Sequence, residues 1–187
     1  KSTRLPKKII LPINGRPIIS YQIERIKYAR TIGEIVVCTS TNPQDDELVD
    51  IVSREGVKTF RGSEDDVLLR FLEAAKQNKI DHFANITADC PLIDPSLIDR
   101  VVDEYSLHRP DLARYDGDDF RLPFNCYVVS VPALAKICSN KKETDTEMWQ
   151  RYFHQGEQFK VHKIIAGERY QHETLKTSLD YPEDYEF

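Results

Sequence analysis

The feature that most constrains this chain is the alternation of apolar runs with stretches of helical periodicity. Glu34 to Thr39 contains Ile35-Val36-Val37-Cys38, an unbroken apolar run of the kind found in a strand covered on both faces. Ahead of it, Ile19, Ile23 and Ile26 repeat at i, i+4 and i+7 and make one helical stripe. Asn14-Gly15 signals a turn, Pro17 suits the first turn of that helix, and Gly33 suits its end. Pro43 to Glu55 reads as a second helix with Leu48, Ile51 and Val52 inward, closed by Gly56. Val57 to Phe60 is the next strand. Ser63 is placed to cap the helix that carries Val67, Leu68, Phe71, Leu72 and Ala75, with Asp66 three residues on. His82 to Thr87 is a third strand, and Asp94-Pro95 opens another helix. Such alternation predicts βαβ units, hence an α/β fold with a mostly parallel central sheet.

Past Tyr105 the pattern is weaker. Pro110 to Pro123 is charged and turn-rich, and is expected to form a loop over the sheet edge. Cys126 to Val131 reads as a strand, Pro132 to Cys138 as a short helix, and Thr144 to His154 as an amphipathic helix. Val161 to Ile165 and Lys176 to Leu179 read as strands. The 187 residues suit one domain, 1–187, with no internal linker. Lys1 falls inside what reads as a loop, so a leading strand is expected upstream of it. The helix opening at Pro182 is expected to continue beyond Phe187.

Composition removes several function classes. A net charge of −5 disfavours nucleic acid as a partner, because the one obvious basic cluster is short and N-terminal. No apolar run approaches the roughly 20 residues needed to span a bilayer, and no secretory pattern precedes the first strand. Cys38, Cys90, Cys126 and Cys138 are scattered without Cys-x-x-Cys spacing, as in a cytoplasmic protein with reduced thiols.

Four segments could carry chemistry. Lys1-Ser2-Thr3-Arg4-Leu5-Pro6-Lys7-Lys8 offers four cations and two hydroxyls with no opposing charge. An arginine fork and a lysine point charge suit a leaving pyrophosphate, although a solvated basic tail has the same composition. Asp89, in Thr87-Ala88-Asp89-Cys90-Pro91-Leu92, follows an apolar strand and so falls at the carboxyl end of the sheet, where open α/β sheets bind ligands. A carboxylate there can hold Mg²⁺ against phosphate oxygens, or simply cap a turn. Asp180, in Ser178-Leu179-Asp180-Tyr181-Pro182, repeats the arrangement and has the same two readings. Arg61-Gly62-Ser63 joins a strand to a helix, where a nucleobase or ribose could meet free N–H groups, or where nothing more than a capped turn exists. Cys90 has no identifiable base partner and reads as a small buried residue. His82, His108, His154, His162 and His172 show no metal-binding spacing in sequence and read as structural.

Taken together and in order, these segments resemble the cytidylyltransferases that make CMP-activated acidic sugars, most closely the branch named for spore-coat polysaccharide biosynthesis. Ser2-Thr3-Arg4-Leu5-Pro6-Lys7-Lys8 is similar to the pyrophosphate-loop signature of that family. Thr39-Ser40-Thr41-Asn42-Pro43, Phe60-Arg61-Gly62-Ser63-Glu64-Asp65-Asp66, Asp89-Cys90-Pro91-Leu92-Ile93-Asp94-Pro95 and Asp180-Tyr181-Pro182-Glu183-Asp184 continue the likeness. The resemblance implies a Rossmann-like three-layer nucleotidyltransferase fold, commonly as a homodimer. It implies transfer of CMP from CTP to an acidic sugar, with Mg²⁺ on Asp89 and Asp180. Arg4 and Lys8 would stabilise pyrophosphate, and Ser2, Thr3, Thr39, Arg61, Gly62 and Ser63 would contact the nucleotide. Phe124-Asn125-Cys126-Tyr127-Val128 departs from the branch, placing Asn125 and Tyr127 where two acids are usual. A uridylyl- or guanylyltransferase, a glycosyltransferase, and a nucleotide-binding module without turnover stay open on these residues.

Overall fold

The computed structural model describes residues 4–116, 126–154, 158–170 and 177–186. A tight hairpin of β1 (Pro12–Ile13) and β2 (Arg16–Pro17) turns through Asn14 and Gly15, both at positive φ. The chain continues through α1 (Ile18–Lys27), β3 (Val36–Ser40), α2 (Asp46–Arg54), β4 (Lys58–Gly62), α3 (Val67–Gln77) and β5 (His82–Ile86). The second half adds α4 (Pro95–His108), β6 (Leu112–Tyr115), β7 (Cys126–Ser130), α5 (Val131–Asn140), β8 (Val161–Ile164) and α6 (Pro182–Glu186).

β3 and β4 pair in parallel from Val36↔Lys58 to Ser40↔Gly62. A four-stranded sheet follows the order β5-β7-β6-β8, in which β7 alone runs against its neighbours. A cavity of about 780 Å³ separates the two sheets, lined by Val36 and Val37 of β3, Phe83 and Asn85 of β5, and Ile19 and Ile23 of α1.

The pleat sends alternate residues to opposite faces and so builds three layers. Ala113 and Val128, paired in register, pack with Ile98, Val101 and Tyr105 of α4. Their neighbours Leu112 and Val129 face the other way, onto Leu68 and Leu72 of α3, Leu134 and Ile137 of α5, Trp149 and Phe153. A third cluster joins Ile19 and Ile23 of α1 to Leu48 and Val52 of α2, and takes in Ile9 and Ile10.

Five local expectations are corrected. Within Pro110 to Pro123, Leu112–Tyr115 is not a loop but a strand between β7 and β8. Leu112, Ala113 and Tyr115 are buried, and the charges of Asp111 and Asp116 that suggested a loop mark its ends. Thr144 to His154 forms only a 3-10 turn at Trp149–Phe153. The fully buried Thr146 holds the segment off a helical path: its hydroxyl accepts from Leu68 N–H at 3.0 Å and donates to Asp66 at 3.1 Å, and its own N–H donates to the Asp65 carbonyl. Asp66, not Ser63, caps α3, since its carboxylate accepts from Leu69 N–H while Ser63 Oγ accepts from Asp66 N–H. α1 ends at Lys27, short of Gly33, because Asp99 of α4 draws in the Thr31 N–H and hydroxyl. Thr177 to Leu179 carries no strand, and Lys176 lies outside the described residues.

Candidate active site

Three segments far apart in sequence meet at one ammonium group. The first is placed by Ile9 and Ile10, whose side chains pack into the α1–α2 cluster beside Ala88. Lys7 turns the backbone at φ 57°, and Lys8 begins the 3-10 turn that follows. The second is the loop after β5. Gln22 of α1 holds it, donating from Nε2 to the Thr87 carbonyl at 2.8 Å and the Cys90 carbonyl at 3.0 Å, while Arg25 Nε donates to the Ile93 carbonyl. The third precedes α6. Asp184 there accepts from the N–H groups of Asp180 and Tyr181, both at 2.8 Å, and Leu179 N–H donates to the Asp89 carbonyl at 2.8 Å. That last bond ties the second and third segments directly.

Lys8 Nζ consequently lies 3.0 Å from Asp89 Oδ2 and 3.3 Å from Asp180 Oδ1. The three side chains are 14%, 30% and 20% exposed, so the cluster is half-sheltered yet open to a ligand. Ser178 Oγ donates to the other oxygen of Asp180 at 2.8 Å. Arg4 adds a second cation: its guanidinium is 3.7 Å from Asp180, donates to the Tyr181 hydroxyl at 2.7 Å and lies over the Tyr181 ring. Two carboxylates directed at one cation form a hard-oxygen donor set of the type Mg²⁺ requires. Their convergence on a lysine shows that the point favours positive charge.

Thr39, Arg61, Gly62 and Ser63 gather at the ends of β3 and β4, with Thr39 opposite Arg61 and Ser40 opposite Gly62. The side chains of the first two are engaged within the protein. Thr39 donates its hydroxyl proton to Asp45 at 2.7 Å. Arg61 donates to the carbonyls of Ser40 and Asn42 and pairs with Asp46 at 2.6 Å. At Gly62 a Cβ would come within 2.9 Å of the Phe60 ring and 3.0 Å of Arg70, so glycine is demanded by packing. Asp45, missed from the sequence, is the organiser here, accepting also from the Ser40 N–H and hydroxyl. Burial works to raise its pKa, but the Ser40 and Thr39 hydrogen bonds prevail and hold the carboxyl below its ordinary value. Gln22 was missed too; a buried amide on the Ile19–Ile23–Ile26 stripe was the available signal.

Ser2, Thr3 and Asn125 lie outside the described residues. Cys90 is 1% exposed and sits 3.4 Å from the Thr87 hydroxyl, among backbone contacts that shape the loop. Tyr127 is buried edge-on against Trp149 and so fills core.

Residues 1–173 match the family model described as cytidylyltransferase. The chain belongs to the cytidylyltransferase family. It is 26% identical over 201 residues to the spore coat polysaccharide biosynthesis protein SpsF of Bacillus subtilis, covering 99% of this chain and 79% of the relative. Over 115 residues it is 37% identical to the 3-deoxy-manno-octulosonate cytidylyltransferase of Chlorobium phaeobacteroides, covering 59% of this chain and 44% of that one. A solved cytidylyltransferase of Leptospira borgpetersenii serovar Hardjo-bovis superposes with a TM-score of 0.88 at 30% identity, over 99% of this chain and 79% of that chain. Membership makes this cytidylyltransferase a nucleotidyltransferase enzyme, and its α/β layers are those of the nucleotidyltransferase fold. No helix among the described residues is long and apolar enough to cross a membrane.

Proposed function

We propose that this cytidylyltransferase joins CMP, taken from CTP, to the anomeric hydroxyl of an acidic sugar destined for a cell-surface polysaccharide, and acts as a homodimer. The observation that carries the reading is the pair of contacts from Lys8 Nζ to Asp89 and Asp180. Its similarity to a spore-coat polysaccharide biosynthesis protein and to an octulosonate cytidylyltransferase supports the pathway and the sugar class. The sugar hydroxyl oxygen forms a bond to the α-phosphorus of CTP. The bond from that phosphorus to the bridging oxygen breaks, pyrophosphate leaves with the electron pair, and the hydroxyl proton passes to solvent. In this reading Lys8 and Arg4 neutralise the departing pyrophosphate, a transfer governed mainly by positioning and charge stabilisation. Asp89 and Asp180 would hold Mg²⁺, which would supply charge neutralisation on the phosphates. With the two carboxylates so engaged, Lys8 would be released to pair with phosphate oxygens. The ends of β3 and β4 receive the nucleoside: Arg61 and Asp45 hold the loop, and Gly62 and Ser63 offer it backbone and hydroxyl groups.

Pyrophosphate release, measured with CTP, UTP, GTP and ATP against a panel of sugar acids and neutral sugars, tests this. The expected result is release with CTP and a sugar acid, dependent on Mg²⁺. Faster release with another nucleotide or with a neutral sugar would overturn the assignment.

A further inference from the structure

Away from the Lys8 cluster, Glu104, His108 and His162 bring one carboxylate oxygen and two imidazole nitrogens within 4.8 Å of one another. Glu104 and His108 are i, i+4 on the last turns of α4, and so share one face of the helix. His162 lies on β8, opposite Ala113 of β6. Glu104 Oε2 is 2.9 Å from His162 Nε2 and 3.4 Å from His108 Nε2. The two imidazole rings stack with centroids 4.1 Å apart and planes inclined by 28°.

We propose that Glu104, His108 and His162 form a surface site for a borderline transition-metal ion, of which Zn²⁺ is the natural probe. Two imidazoles and a carboxylate are a familiar three-ligand set for Zn²⁺, leaving one position for water. Tetrahedral ligands at bond lengths of about 2.0–2.2 Å are spaced about 3.4 Å apart. The Glu104 contacts of 2.9 and 3.4 Å bracket that spacing, while the two stacked imidazoles must turn about their side-chain bonds to aim their lone pairs at one ion. The imidazole nitrogens disfavour hard Mg²⁺, which takes oxygen ligands. The backbone around the site is already fixed. Arg109 follows His108 at φ 45° and donates its N–H to the Tyr105 carbonyl at 2.8 Å. Lys160 Nζ donates to the His108 carbonyl at 2.7 Å, and the β6–β8 ladder holds His162. A metal here would staple the C-terminal end of α4 to the start of β8. The site lies near the opposite end of α4 from Asp94 and the Asp89 loop, a helix length of about 20 Å for its 14 residues.

The test titrates metal-free protein with Zn²⁺ alone, with and without excess Mg²⁺, and follows binding heat and Tm. Co²⁺ alone then reports the ligand type by absorption. One equivalent should bind and raise Tm, unaffected by Mg²⁺, and Co²⁺ should show no thiolate band. Glu104→Gln and His108→Asn, both on the surface, should each weaken binding by more than about tenfold, the loss seen when merely the supporting partners of a metal ligand are removed. His82→Gln, on β5 with β7 and β6 between it and β8, should bind as the wild type does. No binding by the wild type, undiminished binding by both site variants, or a cobalt–thiolate band would each overturn the assignment.

Discussion

At the scale of single residues, Lys8 is the group on which most depends. If it neutralises charge that grows on pyrophosphate, its interaction is stronger in the transition state than with bound CTP. Its loss then lowers kcat more than it raises KM. Lys8→Ala is expected to reduce kcat by roughly 10²–10³, the usual cost of one charge-stabilising donor in a sheltered site, with a smaller change in KM for CTP. Steady-state kinetics decides the matter, since a wild-type kcat would return the segment to a basic tail. Cys90→Ser should leave kcat within about threefold, because the thiol is buried and phosphoryl transfer needs no thiol nucleophile. Asp45 gives a prediction in pH. Its folded pKa is depressed, so its contribution to stability is complete above the unfolded value of about 3.9 and is lost as pH falls through the folded value. Asp45→Ala should destabilise the protein by about 2 kcal/mol at pH 7, by denaturant unfolding, and by progressively less below pH 4.

At the scale of elements, Thr146 shows how a single side chain selects a backbone path. It satisfies the otherwise unpaired N–H of Leu68 in the first turn of α3 and also bonds Asp66, which itself pairs with Lys141 where α5 ends. Thr146→Val conserves shape but strands that N–H and leaves Asp66 Oδ1 with Leu69 N–H in place of two donors, and is expected to cost about 1–3 kcal/mol in thermal or denaturant unfolding. The same residue explains why a helix was read over Thr144 to His154. Trp149, Tyr152 and Phe153 are spaced like a helical face, but the buried hydroxyl needs partners on α3, and tertiary hydrogen bonding prevails over local periodicity. β6 failed in the opposite sense. Leu112-Ala113-Arg114-Tyr115 is short, interrupted by a charge and flanked by aspartates, so nothing local distinguishes it from a loop. Its burial comes from elements remote in sequence: β7 and β8 at its edges, α4 on one face, and α3 and α5 on the other. By contrast β3, α2, α3 and β5 were legible, because their apolar patterns are strong and their turns carry Gly, Pro or a capping acid. For the site, each of Asp89, Asp180 and Lys8 could be singled out from strand ends and charge. That Asp89 and Asp180 converge on one cation was also expected, since both follow strands and precede a proline; that Lys8 occupies the point was not, because it depends on remote packing and on the Leu179-to-Asp89 bond between segments about ninety residues apart.

At the scale of the whole molecule, the site is assembled from the two ends and the middle of the chain, so its geometry depends on remote packing. α1 is the element that conveys this dependence. Its apolar face joins Ile19 and Ile23 to α2, and so also positions Ile9 and Ile10, which carry Lys8. On the same helix the amide of Gln22 clamps both carbonyls of the loop that carries Asp89. One helix therefore sets the relative position of the ammonium and one of its carboxylates. Gln22→Leu keeps the volume but leaves the Thr87 and Cys90 carbonyls without that donor, in a place where water has little access. A loss of about 2 kcal/mol in stability is expected, with the fold intact by circular dichroism. The loop would then sample more positions, and Asp89 would be held less firmly against Asp180. If the two carboxylates share a metal, the Mg²⁺ concentration for half-maximal turnover should rise severalfold in Gln22→Leu, and saturating Mg²⁺ should restore most of kcat. A purely structural glutamine would instead give an unchanged Mg²⁺ dependence with a lower Tm. Gln22→Glu is the complementary case: a carboxylate facing two carbonyls repels them, so it should be worse than leucine in both measurements.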